Sequence, residues 1–261
     1  MNEPTVSIIM PSYNAARFIL ASIASVVAQT FTDWELLIVD DASRDDTVEQ
    51  IRAHYQHESR VRLTVLAQNQ GAAVARNTAI EAARGRYIAF LDCDDHWLPE
   101  KLEVQLRFME QTGSSFTFTA YEKVLETGEQ VAVVGVPQRT TYHSMLKTSV
   151  VGCSTAMYDS HYFGKVLMPL VRMRQDFGLW LALLKKTPHG RGIQQVLVRY
   201  NVRADSISSN KRNAALYTWR VYRQVERLPL PAALWFFANY AFRGFVRHCY
   251  PGWAKKLGIM D

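Results

Sequence analysis

Apolar runs alternate with amphipathic stretches along the N-terminal part of the chain. Four short apolar runs are predicted to be strands: Val6 to Met10, Trp34 to Val39, Val61 to Leu66 and Tyr87 to Leu91. Three longer segments between them are predicted to be helices: Ala15 to Gln29, Asp45 to His57 and Gly71 to Ala83. This alternation is typical of an α/β domain in which helices cover both faces of a mainly parallel sheet.

Polar side chains cluster where three of these strands end. Pro11 to Asn14 follow the first strand, Asp40 and Asp41 end the second, and Asp92 to Asp95 follow the fourth. Ligands of open α/β sheets bind at the carboxyl ends of the strands. The pattern therefore predicts one binding site that is built from three strand ends.

The acidic segment after the fourth strand is the candidate metal site. Asp92 and Asp94 share a face by the strand period of two, and carboxylates this close repel unless a cation or donor groups lie beside them. Mg²⁺ and Mn²⁺ prefer oxygen ligands and bind through one or two carboxylates, with phosphates and water completing the coordination. The cluster indicates a metal-bound phosphate ester, but a turn or a helix cap is an equally common use of such a segment.

Other residues near the strand ends also have structural interpretations. Ser43, with Asp46 three residues later, resembles a capping box for the second helix. Tyr13 is either a core residue or an aromatic placed to stack on a planar base. Arg76 lies in a helix of small residues, where it either balances Asp41 or holds an acidic base-binding residue in place.

The strand-end motifs are accompanied by further marks in a fixed order. The first set is Pro11-Ser12-Tyr13-Asn14, Val39-Asp40-Asp41-Ala42-Ser43, Asn69-Gln70-Gly71, Ala75-Arg76-Asn77 and Asp92-Cys93-Asp94-Asp95. The later marks are Arg174 to Phe177, Arg199-Tyr200, Ser206-Ile207-Ser208 and Asn210-Lys211. In order and spacing these motifs resemble the family 2 glycosyltransferases of GT-A fold. The whole chain is similar to bacterial enzymes of this family that extend teichuronic acid, capsule or O-antigen repeat units.

The resemblance implies a role for each matching residue. A nucleotide-sugar site is implied for six residues: Pro11, Tyr13, Asp40, Asp41, Arg76 and Asp92. Asp94 is implied to bind Mn²⁺ or Mg²⁺ together with Asp92, and Asp95 is a third acid that acts either through water or as a helix cap. Asp176 is implied to be the catalytic base. The family's usual acidic residue just before the base is Gln175 here, which removes a charge but leaves the base in place.

The segment around Asp176 also suits a base by its own pattern. In an inverting transfer, one carboxylate takes the proton of the acceptor hydroxyl while that oxygen attacks opposite the leaving group. Phe177, Leu181 and Leu184 follow the helical period and predict a helix whose N-terminal dipole favours the ionised form of Asp176. The alternative is a plain N-cap aspartate.

The implied activity is metal-dependent inverting transfer of a sugar from a UDP-sugar to a saccharide acceptor on a polyprenyl diphosphate, in bacterial surface-polysaccharide biosynthesis. One alternative is a sugar-1-phosphate nucleotidyltransferase, for which a Gly-rich signature is expected in place of Pro11 to Asn14. Another is a catalytically silent nucleotide-sugar-binding protein. The sequence contains no P-loop and no Gly-x-Gly-x-x-Gly motif, which argues against kinases and dehydrogenases.

Beyond the acidic segment the pattern becomes β-rich. Residues 115–125 and 129–136 are predicted to form a hairpin around the Thr127-Gly128 turn. Gly152 to Thr155 is predicted to be a further strand that approaches the sugar.

Charge is distributed unevenly along the chain. The 261 residues are 48% apolar and 21% charged, with a net charge of +6. We divide them into a GT-A domain (1–211), with a nucleotide-sugar half (1–98) and an acceptor half (99–211), and a basic, aromatic helical extension (212–261). From Lys211 onward, nine Lys or Arg stand against two acidic residues.

The extension suits a membrane surface. Asn239 and Arg243 interrupt its apolar run, so it falls short of the about 20 apolar residues that cross a bilayer. Trp235 near Arg243 suits an interfacial helix, and we expect peripheral attachment to the inner face of the cytoplasmic membrane. The alternative is packing on the catalytic domain or on a second subunit.

Localisation and other partners follow from composition. Three scattered cysteines favour a reducing cytosol over a disulfide framework or a zinc site, and the N-terminus lacks the pattern of a secretory signal, so we expect a cytoplasmic protein. A nucleic-acid partner is not expected, because it leaves the acidic strand ends unexplained.

Overall fold

One mixed sheet of ten strands runs through the residues described by the computed structural model, 3–202 and 211–249. The strands are β1 (Val6–Ser12), β2 (Trp34–Asp40), β3 (Val61–Val65), β4 (Tyr87–Phe90), β5 (His96–Trp97), β6 (Phe116–Val124), β7 (Gln130–Val134), β8 (Arg139–Thr140), β9 (Met157–Asp159) and β10 (Gly190–Asn201). Their order is β3-β2-β1-β4-β9-β6-β10-β5, with β7 paired to β6 and β8 to β10. The predicted marks Ser206, Ile207, Ser208 and Asn210 lie outside the described residues, as do Lys255 and Lys256.

The first part of the sheet is parallel. β1 pairs in parallel with β2 and with β4, and β2 pairs in parallel with β3. The register aligns Ser12 with Asp40. The carboxyl ends of β1, β2 and β4 therefore lie at one edge, and the four strands predicted for this part of the chain are confirmed.

Helices cover both faces of the sheet. They are α1 (Ile19–Val27), α2 (Thr47–Tyr55), α3 (Ala72–Ala82), α4 (Lys101–Thr112), α5 (Tyr142–Lys147), α6 (Ser160–Phe163), α7 (Gln175–Leu184), α8 (Lys211–Arg220) and α9 (Leu230–Cys249). Because strand side chains alternate between faces, Ile8 packs in one apolar cluster with α1 and α4, while Ile9 packs in a second with α3 and α7. The three predicted helices are confirmed with shorter ends; the first begins at Ile19, after a turn in which Phe18 N donates to Ala15 O.

The second part of the sheet is mixed. β9 lies antiparallel between β4 and β6, and β10 runs parallel to β6. The predicted hairpin is confirmed as β6 and β7, which are antiparallel. The strand predicted over Gly152 to Thr155 is wrong. Cys153–Thr155 is a 3-10 turn, closed by hydrogen bonds from Thr155 N and Thr155 Oγ1 to Gly152 O at 3.1 and 2.7 Å.

The C-terminal helices pack on the α/β domain through one face. Val221 and Tyr222, in a π-helical turn (Val221–Val225), and Ala233 of α9 are buried in the same apolar cluster as Trp180. Another face of α9 carries large apolar side chains that are each more than half exposed: Leu230, Leu234, Trp235, Phe242 and Phe245. No helix within the described ranges is both long and apolar enough to cross a membrane.

A buried carboxylate fixes the amino edge of the parallel strands. Glu35 accepts hydrogen bonds from Ser7 Oγ at 2.7 Å and from N, Nε and Nη2 of Arg84 at 2.8, 3.0 and 2.8 Å. Burial by itself raises the pKa of Glu35, but the hydrogen bonds from Arg84 and Ser7 outweigh burial and hold the pKa below its ordinary value. The network joins β1 and β2 to the loop that precedes β4.

Glu35→Gln is expected to lower the free energy of unfolding at pH 7 by about 2 kcal/mol, because the charge that accepts these hydrogen bonds is lost. Since the folded-state pKa is depressed, the contribution of Glu35 is present above its unfolded pKa and is lost as pH falls through the folded value. Urea unfolding at pH values from 7 to below 4.5 should show that the difference in free energy of unfolding between the wild type and Glu35→Gln becomes smaller as pH falls. A difference that stays constant with pH would contradict the role of Glu35. So would an equal, pH-dependent difference for the surface control Glu103→Gln.

Candidate active site

The carboxyl edge of the parallel strands carries unusual backbone conformations. Three of the four non-glycine residues with left-handed backbones in the described chain are Asn14 (φ 48°), Ala42 (φ 60°) and Arg174 (φ 66°). Asn14 and Ala42 follow β1 and β2, and Arg174 directly precedes α7. Such conformations cost on the order of 1–3 kcal/mol each, persist only where the surroundings hold them, and cluster at functional sites.

Asp40 is fully buried beneath this edge. Its carboxylate accepts hydrogen bonds from Ser12 Oγ at 2.8 Å and from Ser43 N and Ser43 Oγ at 2.8 and 2.6 Å. These hydrogen bonds join the loops after β1 and β2, and all of them are made by groups of the protein itself. Ser43 belongs to the same network and does not cap α2, whose N-cap residue is Asp46.

Asp41 joins the end of β2 to the start of α3. Its two carboxylate oxygens accept hydrogen bonds from Gln70 N and Gly71 N, each at 2.7 Å, and Asn69 Nδ2 donates to its backbone carbonyl at 3.2 Å. The residue is only 2% exposed. Each carboxylate oxygen accepts one backbone amide and has a further lone pair for a donor group of a ligand.

Arg76 of α3 is the cation of the site. It is 8% exposed, and its Nη2 donates to Asp92 Oδ1 at 2.6 Å. Burial by itself lowers the pKa of the Arg76 guanidinium, but Asp92, Cys153 and Asp176 outweigh burial and raise that pKa above its usual value. Its ion-pair partner is thus Asp92 and not Asp41. Asp176 of α7 acts on Arg76 through its charge alone, without an ion pair within 4.0 Å.

Asp95 lies behind the other acids of its segment. It is 2% exposed, and its carboxylate accepts hydrogen bonds from Ser154 Oγ at 2.6 Å and from Asn201 N at 3.3 Å. Burial, together with the charges of Asp94 and Asp92, raises the pKa of Asp95. The alternative of a helix cap is wrong, because α4 begins at Lys101 with Glu100 as its N-cap residue.

Asp92 and Asp94 keep part of their surface exposed. Within residues 3–202 and 211–249, no three His, Cys, Asp or Glu side chains converge as a metal site. Mg²⁺ and Mn²⁺ need no such set where a diphosphate is bound, since they take one or two carboxylates and complete their coordination with phosphate oxygens and water. The oxygen donors of Asp92 and Asp94 fit an ion of that kind.

Asp176 lies in the first turn of α7. The helix begins at Gln175, and Arg174 is its N-cap residue, so the plain N-cap interpretation of Asp176 is wrong. Asp176 is half-buried, and the Gln175 side chain beside it donates to Arg172 O at 3.1 Å. The predicted core positions of this helix are confirmed as buried: Phe177, Leu181 and Leu184.

The two predicted residues at the end of β1 differ in environment. Pro11 is buried within the strand, in register with Val39. Tyr13 is 45% exposed in the loop that follows, so its ring is not a core residue. An exposed aromatic ring at this edge has the right chemistry to stack on a planar base.

Three residues without a predicted role hold the acidic segment in place. Ser154 Oγ accepts from Asp92 N at 3.0 Å while it donates to Asp95, and Tyr200 OH accepts from Ser154 N at 3.1 Å. Asn201 Nδ2 donates to the backbone carbonyl of Asp94. Tyr200 is one of the predicted family marks, but the sequence around Ser154 carries no signal for this contact.

The chain is similar in sequence to a known protein family and to individual proteins. Residues 7–160 match the profile of Glycosyl transferase family 2. The chain belongs to this family. TuaG of Bacillus subtilis (strain 168), assigned to teichuronic acid biosynthesis as a glycosyltransferase, is 43% identical over 240 residues, which cover 92% of this chain and 95% of TuaG. The UDP-Glc:alpha-D-GlcNAc-diphosphoundecaprenol beta-1,3-glucosyltransferase WfgD of Escherichia coli is 38% identical over 251 residues, which cover 96% of this chain and 97% of WfgD.

Solved structures share the fold of this family 2 glycosyltransferase. TarS of S. aureus in complex with UDP-GlcNAc superposes with a TM-score of 0.72 at 20% identity, over 94% of this chain and 74% of that one. The mannosyltransferase PcManGT of Pyrobaculum calidifontis, in complex with GDP-Man and Mn²⁺, superposes with a TM-score of 0.68 at 17% identity. The superposition covers 95% of this chain and 76% of PcManGT. The predicted family and GT-A fold are confirmed.

Ser154→Ala in this glycosyltransferase is expected to lower the free energy of unfolding by about 1–3 kcal/mol, because Asp92 N and the Asp95 carboxylate each lose a hydrogen-bond partner. Ser160→Ala is the control, since that hydroxyl donates only to backbone carbonyls at the other end of β9. Urea unfolding measures both variants. Equal stability losses in the two would contradict the role of Ser154.

Proposed function

We propose that the chain is a metal-dependent inverting glycosyltransferase that moves a sugar from a UDP-sugar to a saccharide acceptor on a polyprenyl diphosphate. The observation that carries this proposal is the buried Arg76, which pairs with Asp92 and is stabilised electrostatically by Asp176. The ion pair fixes one acid assigned to the donor, and the acid assigned to the acceptor lies near enough for its charge to act on the same guanidinium. Direct transfer between two sugars needs a donor site and a base at that proximity.

The nucleoside of the donor is proposed to lie over the ends of β1 and β2. The exposed ring of Tyr13 stacks on the base, with Pro11 in the strand beneath it. Asp41 accepts a hydrogen bond from the base with a free lone pair, while the amides of Gln70 and Gly71 hold its carboxylate in place. Asp92 lies towards the ribose.

Asp94 and Asp92 are the residues proposed to hold Mn²⁺ or Mg²⁺. When bound there, such an ion neutralises the charge that develops on the departing diphosphate. Asp95 supports this pair from behind through Ser154, which also binds the backbone of Asp92. The Mn²⁺ and GDP-Man of PcManGT show that a protein of this fold accommodates both groups.

Asp176 is proposed to be the general base. Its carboxylate takes the proton of the acceptor hydroxyl while the hydroxyl oxygen bonds to the anomeric carbon of the donor sugar. The bond from that carbon to the diphosphate oxygen breaks on the opposite side, so UDP leaves and the configuration inverts.

The relatives support the proposed substrates. The name of WfgD specifies UDP-Glc as donor and a diphosphoundecaprenol-linked sugar as acceptor. TuaG is assigned to teichuronic acid, a polysaccharide. The two matches cover 92% and 96% of this chain. A UDP-sugar, a polyprenyl diphosphate-linked saccharide and a place in bacterial surface-polysaccharide biosynthesis are therefore proposed here.

The extension, residues 212–261, is proposed to bind the inner face of the cytoplasmic membrane while it packs on the GT-A domain, residues 1–211. The outer face of α9 joins five exposed apolar side chains, and Arg220, Arg223 and Arg227 before it are exposed. Apolar side chains enter the acyl boundary and arginines attract anionic headgroups. Packing and membrane binding thus use different faces of one helix.

The protein is expected to release UDP from a UDP-sugar when Mn²⁺ and a lipid diphosphate saccharide are both present. Asp176→Asn should lower kcat by about 10²–10⁴-fold and keep metal-dependent UDP binding, because only proton transfer is lost. Asp94→Asn should lose metal-dependent UDP binding. Asp33→Asn, at the amino edge of the sheet, is the matched control. A coupled UDP assay and calorimetry with UDP measure these effects.

Two outcomes would contradict the proposed activity. Metal-dependent UDP binding without turnover of any donor and acceptor would favour a catalytically silent binding protein. Formation of a UDP-sugar from UTP and a sugar-1-phosphate would favour a nucleotidyltransferase.

Leu234→Ser combined with Phe242→Ser is expected to weaken binding to phosphatidylglycerol vesicles by at least about tenfold, because two apolar side chains no longer enter the bilayer. The control is Val131→Ser combined with Val133→Ser, which removes equally exposed apolar side chains from β7. Vesicle flotation at low and high salt measures binding. Equal binding of the two double variants would contradict the membrane proposal.

A further inference from the structure

The C-terminal extension holds α7 at both ends. At the carboxyl end, Lys185 Nζ forms an ion pair of 2.8 Å with Glu226, whose side chain is buried. Near the amino end, the ring of Phe177 packs edge-on against Tyr222, with 6.2 Å between centroids. At the N-cap, Arg174 Nη2 donates to the hydroxyl of Tyr240 at 3.1 Å. The helix that carries Asp176 is therefore clamped by residues outside the domain that carries the donor site.

Arg174 needs such a partner more than an ordinary N-cap residue does. Its backbone is left-handed, with φ 66° and ψ 24°, and no side-chain hydrogen bond caps the first turn. This backbone conformation costs free energy for an arginine, since only glycine adopts it freely. The conformation turns the chain from the preceding loop into α7, and Asp176 follows two residues later in the first turn of that helix.

Tyr240 is itself fixed by aromatic packing within the extension. Its ring stacks on Phe237, with 6.1 Å between centroids and 29° between planes, and Phe237 packs edge-on against Trp219 at 5.4 Å. The hydroxyl thus presents an acceptor from a rigid support. One hydrogen bond from a rigid acceptor can select one of two backbone conformations of a loop that differ by a small free energy.

We propose that Tyr240 is a positioning residue for the transfer reaction, which holds Arg174 in the left-handed conformation that aims Asp176 at the acceptor. This inference rests on the proposed function, in which Asp176 is the base. It makes α9 part of the catalytic apparatus in addition to its role at the membrane. A small displacement of a base lowers the rate of proton transfer without weakening donor binding.

Tyr240→Phe tests the proposal because it removes the hydroxyl and keeps the stacked ring. The expected result is a kcat that is lower by about five- to tenfold, the loss of one hydrogen bond, with an unchanged KM for the UDP-sugar. The matched control is Tyr142→Phe, which removes the hydroxyl that donates to Glu226 and so loosens the contact at the carboxyl end of α7, away from Arg174. Its kcat should stay within about twofold of the wild type.

A double-mutant cycle with Arg174→Gly identifies the route of the effect. Glycine adopts the left-handed conformation without a partner, so Tyr240→Phe should change kcat by less than about twofold in that background. Single-turnover measurements resolve low residual rates.

The outcomes separate this inference from the proposed function. Wild-type turnover that is lost in Asp176→Asn but is the same in Tyr240→Phe as in the wild type would overturn the role of Tyr240 alone. Three further results would also overturn the role of Tyr240. The first is an equal loss of kcat in Tyr240→Phe and Tyr142→Phe, and the second is a raised KM with an unchanged kcat in Tyr240→Phe. The third is a double variant in which the effects of Tyr240→Phe and Arg174→Gly on kcat simply multiply. Absence of transfer by the wild type would instead contradict the proposed function.

Discussion

Several carboxylates crowd at one edge of the sheet, and their mutual repulsion is the constraint on which the site depends. The buried guanidinium of Arg76 offsets part of that repulsion. Parallel strands bring their carboxyl ends to the same edge of the sheet, so parallel pairing alone brings the acids after β2 and β4 together. Arg76 pairs with Asp92 at 2.6 Å and is stabilised by Asp176 of α7. Breaking a buried ion pair by removing one partner is strongly destabilising. This ion pair therefore ties α3 to the acidic segment after β4.

The acids of this edge divide by how their oxygens are satisfied. Asp40, Asp41 and Asp95 are buried, and the protein itself supplies their hydrogen-bond donors. Asp92, Asp94 and Asp176 keep part of their surface exposed. The first group shapes the loops, because a buried carboxylate without donors is costly. The second group is the one that can reach a metal ion, a diphosphate or an acceptor hydroxyl.

The sequence predicts what depends on local periodicity and on motif order. The four N-terminal strands, the β6–β7 hairpin and the helix after Asp176 follow from spacing, and the family follows from motifs whose order is preserved. Contacts between distant residues leave no such pattern. Ser154 binds Asp92 across 62 positions and Tyr240 binds Arg174 across 66. For that reason the sequence predicts a strand where the structure has the turn Cys153–Thr155, and only the structure distinguishes the buried Asp40 from the partly exposed Asp92.

Where manganese binds shows whether these acids have separate tasks. Crystals grown with Mn²⁺ and UDP would be measured at a wavelength at which manganese scatters anomalously. We expect one peak within coordination distance of the Asp94 carboxylate and the diphosphate, with Asp176 and Asp95 outside the first coordination shell of the ion. A peak coordinated by Asp176, or Mn²⁺ bound away from the Asp92 to Asp95 segment, would contradict it.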